Sequence, residues 1–119
     1  MEELIGRLVA NVGVERPAAE KAVGIILDFL KKEGPPDKVQ ALIDRLPGAE
    51  AAIAAQQSDA GGFSMGGIMG AGTKMMAAGL SMGQVQGVTR EMLAFAREKA
   101  GEDTVSEIVN SIPGLSQFI

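Results

Sequence analysis

The sequence lacks two residue types on which much enzyme chemistry depends, because its 119 residues include no cysteine and no histidine. The absence of cysteine excludes disulfides, thiolate nucleophiles and thiolate metal sites. The absence of histidine removes the commonest general base and the commonest metal ligand. We therefore predict no catalytic residues, no metal site and no cofactor, and we expect a protein that is not an enzyme.

Aromatic residues and clustered positive charges are also scarce. The chain has no Trp, no Tyr and four Phe, and its 15 acids and 11 bases give a net charge of −4. Nucleic-acid binding needs cations for phosphates and aromatic faces for bases, so we predict no nucleic-acid partner. The opening stretch MEELIGRLVANVGV starts with acids and lacks the basic region and apolar run of a secretory signal, which predicts a cytoplasmic protein.

Glycine and methionine are abundant in residues 61–76, GGFSMGGIMGAGTKMM. Gly67, Gly72, Thr73 and Lys74 resemble a phosphate-binding GxxxxGKT loop with its last two residues exchanged, and this exchange breaks the contacts to phosphate and magnesium. The stretch also lacks the about 18 strongly apolar residues of a membrane span. It is therefore interpreted as a short helix whose small residues allow close packing and whose methionines fill irregular gaps.

An internal repeat with an offset of 66 residues organises the chain. The sequence Leu-Pro-Gly at 46–48 is answered by Ile-Pro-Gly at 112–114. The preceding apolar residues have the spacing i, i+3, i+4, i+7 in both copies, namely Val39, Leu42, Ile43 and Leu46, and Val105, Ile108, Val109 and Ile112. A period of 3.6 residues predicts amphipathic helices.

We predict an all-α protein with six helices, arranged as two pseudo-repeated three-helix units in one compact bundle. The single helical domain 1–119 comprises a repeat unit at 1–53, a Gly-rich linker at 54–66 and a repeat unit at 67–119. Each unit ends in a short apolar tail, at 49–53 or 115–119. The predicted helices span about 2–12, 16–33, 36–46, 67–78, 82–99 and 102–112, and a capping box of Ser81 and Gln84 opens the fifth.

Two acids, Asp37 and Asp103, match at the same offset and could form a pair of catalytic carboxylates. Their place in the first turn of the third helix of each unit favours capping instead, because a carboxylate there meets free N–H groups and the positive end of the helix dipole. Phe29 and Phe95 share a predicted core position, whereas Asp28 falls on the predicted polar face of the second helix.

The chain resembles an uncharacterised family of small bacterial proteins in which short helical units occur in tandem. The resemblance is carried by GVERPAAEKAVGIILDFLKKEGPPDKVQALIDRLPG in the first copy, by GQVQGVTREMLAFAREKAGEDTVSEIVNSIPGLSQFI in the second, and by the Gly/Met-rich middle. It implies a helical fold and no catalytic residues.

These observations favour a helical interaction or scaffold protein that binds an unknown protein partner or itself. Methionine-rich apolar faces suit adaptable helix grooves. Two alternatives remain: binding of a small apolar ligand or lipid surface between the repeats, and an enzyme that uses carboxylate or lysine groups. The predicted contact surface comprises Phe63, Met65, Ile68, Met69, Met75, Met76 and Met82.

Overall fold

The computed structural model describes residues 2–46, 48–58 and 67–112, with the side chains of these residues except 55–58, 67–69 and 71. The described residues form seven helices and no strand, so the all-α prediction is confirmed. The helices are α1 (Glu2–Asn11), α2 (Arg16–Glu33), α3 (Pro36–Asp44), α4 (Ala49–Ser58), α5 (Gly67–Ala77), α6 (Met82–Ala100) and α7 (Glu102–Ser111). Each of the six predicted helices is found within two residues of its expected ends.

The additional helix, α4, occupies residues that the sequence pattern assigned to an apolar tail and the start of a linker. Gly48 has a φ of 87°, which reverses the chain after α3 and lets a new helix begin at Ala49. The segment AEAAIAAQQS has five alanines, so its helix propensity is high although its apolar periodicity is weak. Ala49 and Ile53 are buried. Because α4 continues to Ser58, the prediction of a linker is wrong over residues 54–58.

The helices α2 and α6 form the centre of the fold, because each packs against five others. The helix α2 packs against α1, α3, α4, α5 and α6, and α6 packs against α1, α2, α3, α5 and α7. All residues from 22 to 30 are buried. The assignment of Asp28 to a solvated polar face is therefore wrong, because its side chain is only 8% exposed. Its Oδ2 lies 3.0 Å from Lys32 Nζ, and its Oδ1 has no hydrogen-bond partner among the residues that the structure describes. The apolar periodicity of the sequence predicts a single buried stripe on α2. In the fold, five helices pack against α2, so residues outside that stripe are buried as well.

The predicted capping roles of Asp37 and Asp103 are also wrong in detail. Both are exposed and lie in the first turn of α3 and α7, but the N-cap residues are Pro35 and Gly101, and neither helix has a side-chain capping bond. The two carboxylates retain only the favourable interaction with the helix dipole. The helix α3 ends two residues early because Arg45 and Leu46 donate to carbonyls three residues back, which tightens the last turn.

The first and second halves of the chain share one cluster of buried apolar side chains. Ion pairs join the two halves where α1 runs antiparallel to α6. Arg7 Nη1 lies 2.7 Å from Glu98 Oε2, and Lys99 Nζ lies 3.8 Å from Glu3 Oε2. The carboxylate of Glu98 raises the pKa of Arg7 above its ordinary value through their hydrogen bond. Packing across the halves places the start of α6 beside the end of α1.

Candidate functional site

The predicted contact surface divides into buried, exposed and undescribed residues. Met75 is buried at 2% exposure, whereas Met76 is 48% exposed and Met82 is 54% exposed. Ile68 and Met69 lie on α5, but their side chains fall outside the described part, as do Phe63 and Met65 entirely. Met75 therefore belongs to the core and cannot be part of the predicted contact surface, and Met76 and Met82 are the predicted residues that the structure places at the surface.

The turn after α5 explains why neighbouring methionines differ in exposure. The N–H of Leu80 donates to Met75 O at 3.2 Å and that of Gly79 to Met76 O at 3.0 Å, while Gly79 has a φ of 105°. This is the Schellman arrangement, in which the residue after the glycine folds back onto the last helical turn. Leu80 and Met75 are accordingly both buried, and Met76, one position further round the helix, points outward.

The start of α6 is fixed by a reciprocal capping box, as the sequence predicted. The N–H of Gln84 donates to Ser81 Oγ at 3.3 Å, and the N–H of Ser81 donates to Gln84 Oε1 at 2.9 Å. The Gln84 Nε2 also donates to Gly13 O at 3.3 Å, which ties α6 to the end of α1. Residues 76–83, here called the α5–α6 corner, are thus held by bonds on both sides of the turn.

A groove of about 490 Å³ lies beside the corner, between the end of α1 and the first turns of α6. A methyl group added at Gly87 would lie 3.1 Å from Val12 Cγ1, so Gly87 allows α1 to approach α6 closely. A methyl group added at Gly83, by contrast, would have no atom of the described residues within 4 Å apart from its own helix backbone and chain neighbours. The residues lining the groove, which the sequence did not identify, are Asn11, Val12, Ser81, Gly83, Gln84, Gly87, Arg90 and Glu91.

The corner is nearly free of charge. Lys74 is the only charged residue in the sequence between Asp59 and Arg90, although 22% of the chain is charged. At the far end of the groove, Glu91 Oε2 lies 3.7 Å from Arg7 Nη2. Residues 76–83 themselves carry no charged side chain, so a contact made by these residues alone desolvates no charge of the corner.

Comparison with known proteins adds no family to this description. No family model, curated protein or solved structure matches the chain. The resemblance to tandem-repeat helical proteins therefore stays a prediction from the sequence. Among the described helices, none is long and apolar enough to cross a membrane.

Replacing Gly79 by Ala is expected to lower the free energy of unfolding by about 1–2 kcal/mol, because an L side chain is strained at positive φ. Gly72→Ala is the matched control, since Gly72 lies within α5 and, apart from its own helix backbone and chain neighbours, no atom of the described residues lies within 4 Å of an added methyl group. We expect that control to be neutral or to stabilise by up to about 1 kcal/mol. Chemical denaturation measures both; equal effects of the two substitutions would contradict the role assigned to the turn.

Proposed function

We propose that this protein is a non-enzymatic helical interaction protein that binds a second copy of itself through the α5–α6 corner. The observation that carries the proposal is the exposure of Met76 and Met82 on either side of a rigidly bonded turn. Flexible thioether side chains adapt to an apolar partner. A rigid turn beneath them reduces the entropy lost on binding.

A second copy fits this surface for reasons of shape and charge. In a two-fold symmetric contact each patch faces its own copy. An antiparallel crossing of two α6 helices at this point sets the projecting Met82 of one copy against the open position beside Gly83 of the other. The near absence of charge at the corner avoids the repulsion that two chains of net charge −4 would experience elsewhere.

We further propose that the chain is an internal repeat of two three-helix units. Burial at the offset of 66 residues supports this arrangement, since both members of each following pair are buried. The pairs are Ala19 and Val85, Ala22 and Val88, Val23 and Thr89, Ile26 and Met92, Leu27 and Leu93, Phe29 and Phe95, Leu30 and Ala96, Val39 and Val105, Leu42 and Ile108, Ile43 and Val109, and Leu46 and Ile112.

The packing between the two units is also reciprocal. The helix α1 packs on α6, and its counterpart α5 packs on α2, the counterpart of α6. Like helices also meet, because α2 packs on α6 and α3 packs on α7. Such an exchange is what a pseudo-two-fold relation between two copies of one unit produces.

The double variant Met76→Asp, Met82→Asp is expected to remain monomeric at concentrations where the wild type associates, because each aspartate would have to be desolvated at the contact. Sedimentation velocity between about 10 µM and 1 mM covers the range of weak interfaces. Val9→Asp is the control, since Val9 is the third exposed large apolar residue among the described ones and lies on α1.

The control variant is expected to associate as the wild type does. A wild type that stays monomeric throughout this range would overturn self-association, and equal loss in both variants would move the contact away from the corner. Native mass spectrometry of the purified protein distinguishes the alternative of a small apolar ligand or lipid. A co-purified mass that is lost with Met76→Asp, Met82→Asp would replace the second copy as the occupant.

A further inference from the structure

The chain contains one class of readily oxidised side chain. It has seven methionines but no Cys, His, Trp or Tyr. A peroxide that meets this protein therefore has no thiol to react with, and the thioethers are its principal targets. Six of the seven methionines fall between residues 65 and 92, in or near the segment that forms the α5–α6 corner.

Burial separates the described methionines into two groups. Met76 and Met82 are 48% and 54% exposed, whereas Met75 and Met92 are each 2% exposed. The sulfur of an exposed methionine can be reached by a peroxide in the folded protein, but that of a buried one requires the surrounding helices to open. Met75 and Met76 are adjacent in sequence, so their contrast isolates the effect of burial.

We propose that Met76 and Met82 are sites of reversible oxidation by peroxides, and that oxidation switches off contact at the α5–α6 corner. The sulfur attacks one peroxide oxygen, an S–O bond forms as the O–O bond breaks, and the other oxygen leaves as water or an alcohol. The thioether loses two electrons and the peroxide gains them. A methionine sulfoxide reductase that takes two electrons from a dithiol reverses the step, and the products are the thioether, water and a disulfide.

The expected consequence follows from the polarity of the product and rests on the proposed function. A sulfoxide is polar where the thioether was apolar, so burying it against a second copy requires desolvation without an assured hydrogen bond. The fold itself is retained, because the buried anchor of the turn, formed by Met75 and Leu80, keeps its packing. Oxidation would thus remove the contact without unfolding the chain.

The test is a time course with hydrogen peroxide on the full-length protein, followed by peptide mapping. We expect Met76 and Met82 to be oxidised at least about tenfold faster than Met75 and Met92, as expected from their accessibility in the fold. Similar rates for Met75 and Met76 would overturn the site assignment. Thermal unfolding followed by circular dichroism is expected to change little at the point where only the exposed pair is oxidised.

The variant Met92→Leu provides the matched control for the switch, because it removes a buried methionine outside the α5–α6 corner. Sedimentation is expected to show that peroxide disperses the wild type and this variant alike, and that a sulfoxide reductase with a dithiol restores association in both. Dispersal of the wild type before the peptide map shows oxidation of Met76 and Met82 would overturn the switch and place its cause at other methionines. Absence of association before peroxide would overturn the proposed function and the switch, while the mapping would still decide whether Met76 and Met82 are the reactive sites.

Discussion

The variant Phe95→Ala is expected to lose about 3–5 kcal/mol of unfolding free energy, the range for removing a buried phenylalanine. Phe95 is 3% exposed, and its ring also faces two cations. Arg7 Cζ lies 5.5 Å and Lys99 Nζ 5.3 Å from the ring centroid. Removing the ring would leave a cavity in the shared core and take the aromatic face away from both cations. Urea denaturation measures the loss.

The conservative variant Phe95→Leu separates the contribution of apolar burial from that of the contact between the ring and the two cations. Leucine keeps most of the buried apolar volume but has no aromatic face. We expect it to lose about 1–2 kcal/mol. Phe29→Ala provides a second comparison at the position related by 66 residues, where Phe29 is 8% exposed. A loss below about 1 kcal/mol for Phe95→Ala would contradict the placement of this side chain in the core.

A chain that ends at Ser58 is expected to show no cooperative thermal unfolding. It would retain α1 to α4 but lose α5, α6 and α7, which cover parts of α1, α2 and α3. Residues buried around α2 would then face water, and a chain of about 60 residues buries only about 60% of the surface of its unfolded state, a smaller fraction than larger domains bury. Calorimetry and circular dichroism are the measurements.

Co-expression of this fragment with a second chain of residues 59–119 is the control. The two pieces together supply all the described helix contacts, so we expect them to co-purify and to unfold cooperatively. A cooperative, monomeric transition for the first fragment alone would contradict this dependence. It would show that the first half of the chain is an independent domain despite the core it shares with the second half.

The sequence was most informative where local chemistry decides the structure. The start of α6 follows from Ser81 and Gln84, whose reciprocal bonds need no distant partner. The start of α2 follows from a proline in its first turn, where a missing N–H costs nothing. Regular apolar spacing likewise predicted α3 and α7, because a continuous stripe must be covered by other helices.

The pattern was least informative for α4. Its alanines favour a helix but have little periodicity, and the Gly48 turn that starts it has no strong signature beyond the Pro-Gly pair. Helices with small side chains pack closely while contributing few large apolar residues to a sequence profile. The apolar pattern of α2 alone placed Asp28 on a solvated face, whereas five helices, α4 among them, pack against α2.

The candidate site was predicted only in part, because the exposure of its residues depends on tertiary contacts. Composition located the methionine-rich segment, but it could not separate Met75 from Met76, since both are apolar and adjacent. Their difference depends on the fold of the turn and on what Leu80 contacts. The groove beside the corner depends on α1 approaching Gly87, a contact between residues 75 positions apart, Val12 and Gly87.

By itself the sequence determined an all-α protein, the approximate ends of six helices, and the absence of thiol and imidazole chemistry. These properties depend on residue type and on spacing within a few turns. Only the tertiary structure decided that α2 and α6 are central, that Asp28 is buried, and that Met76 and Met82 are exposed while Met75 is not. Burial is set by which helices lie against one another, and residues distant in the chain decide that.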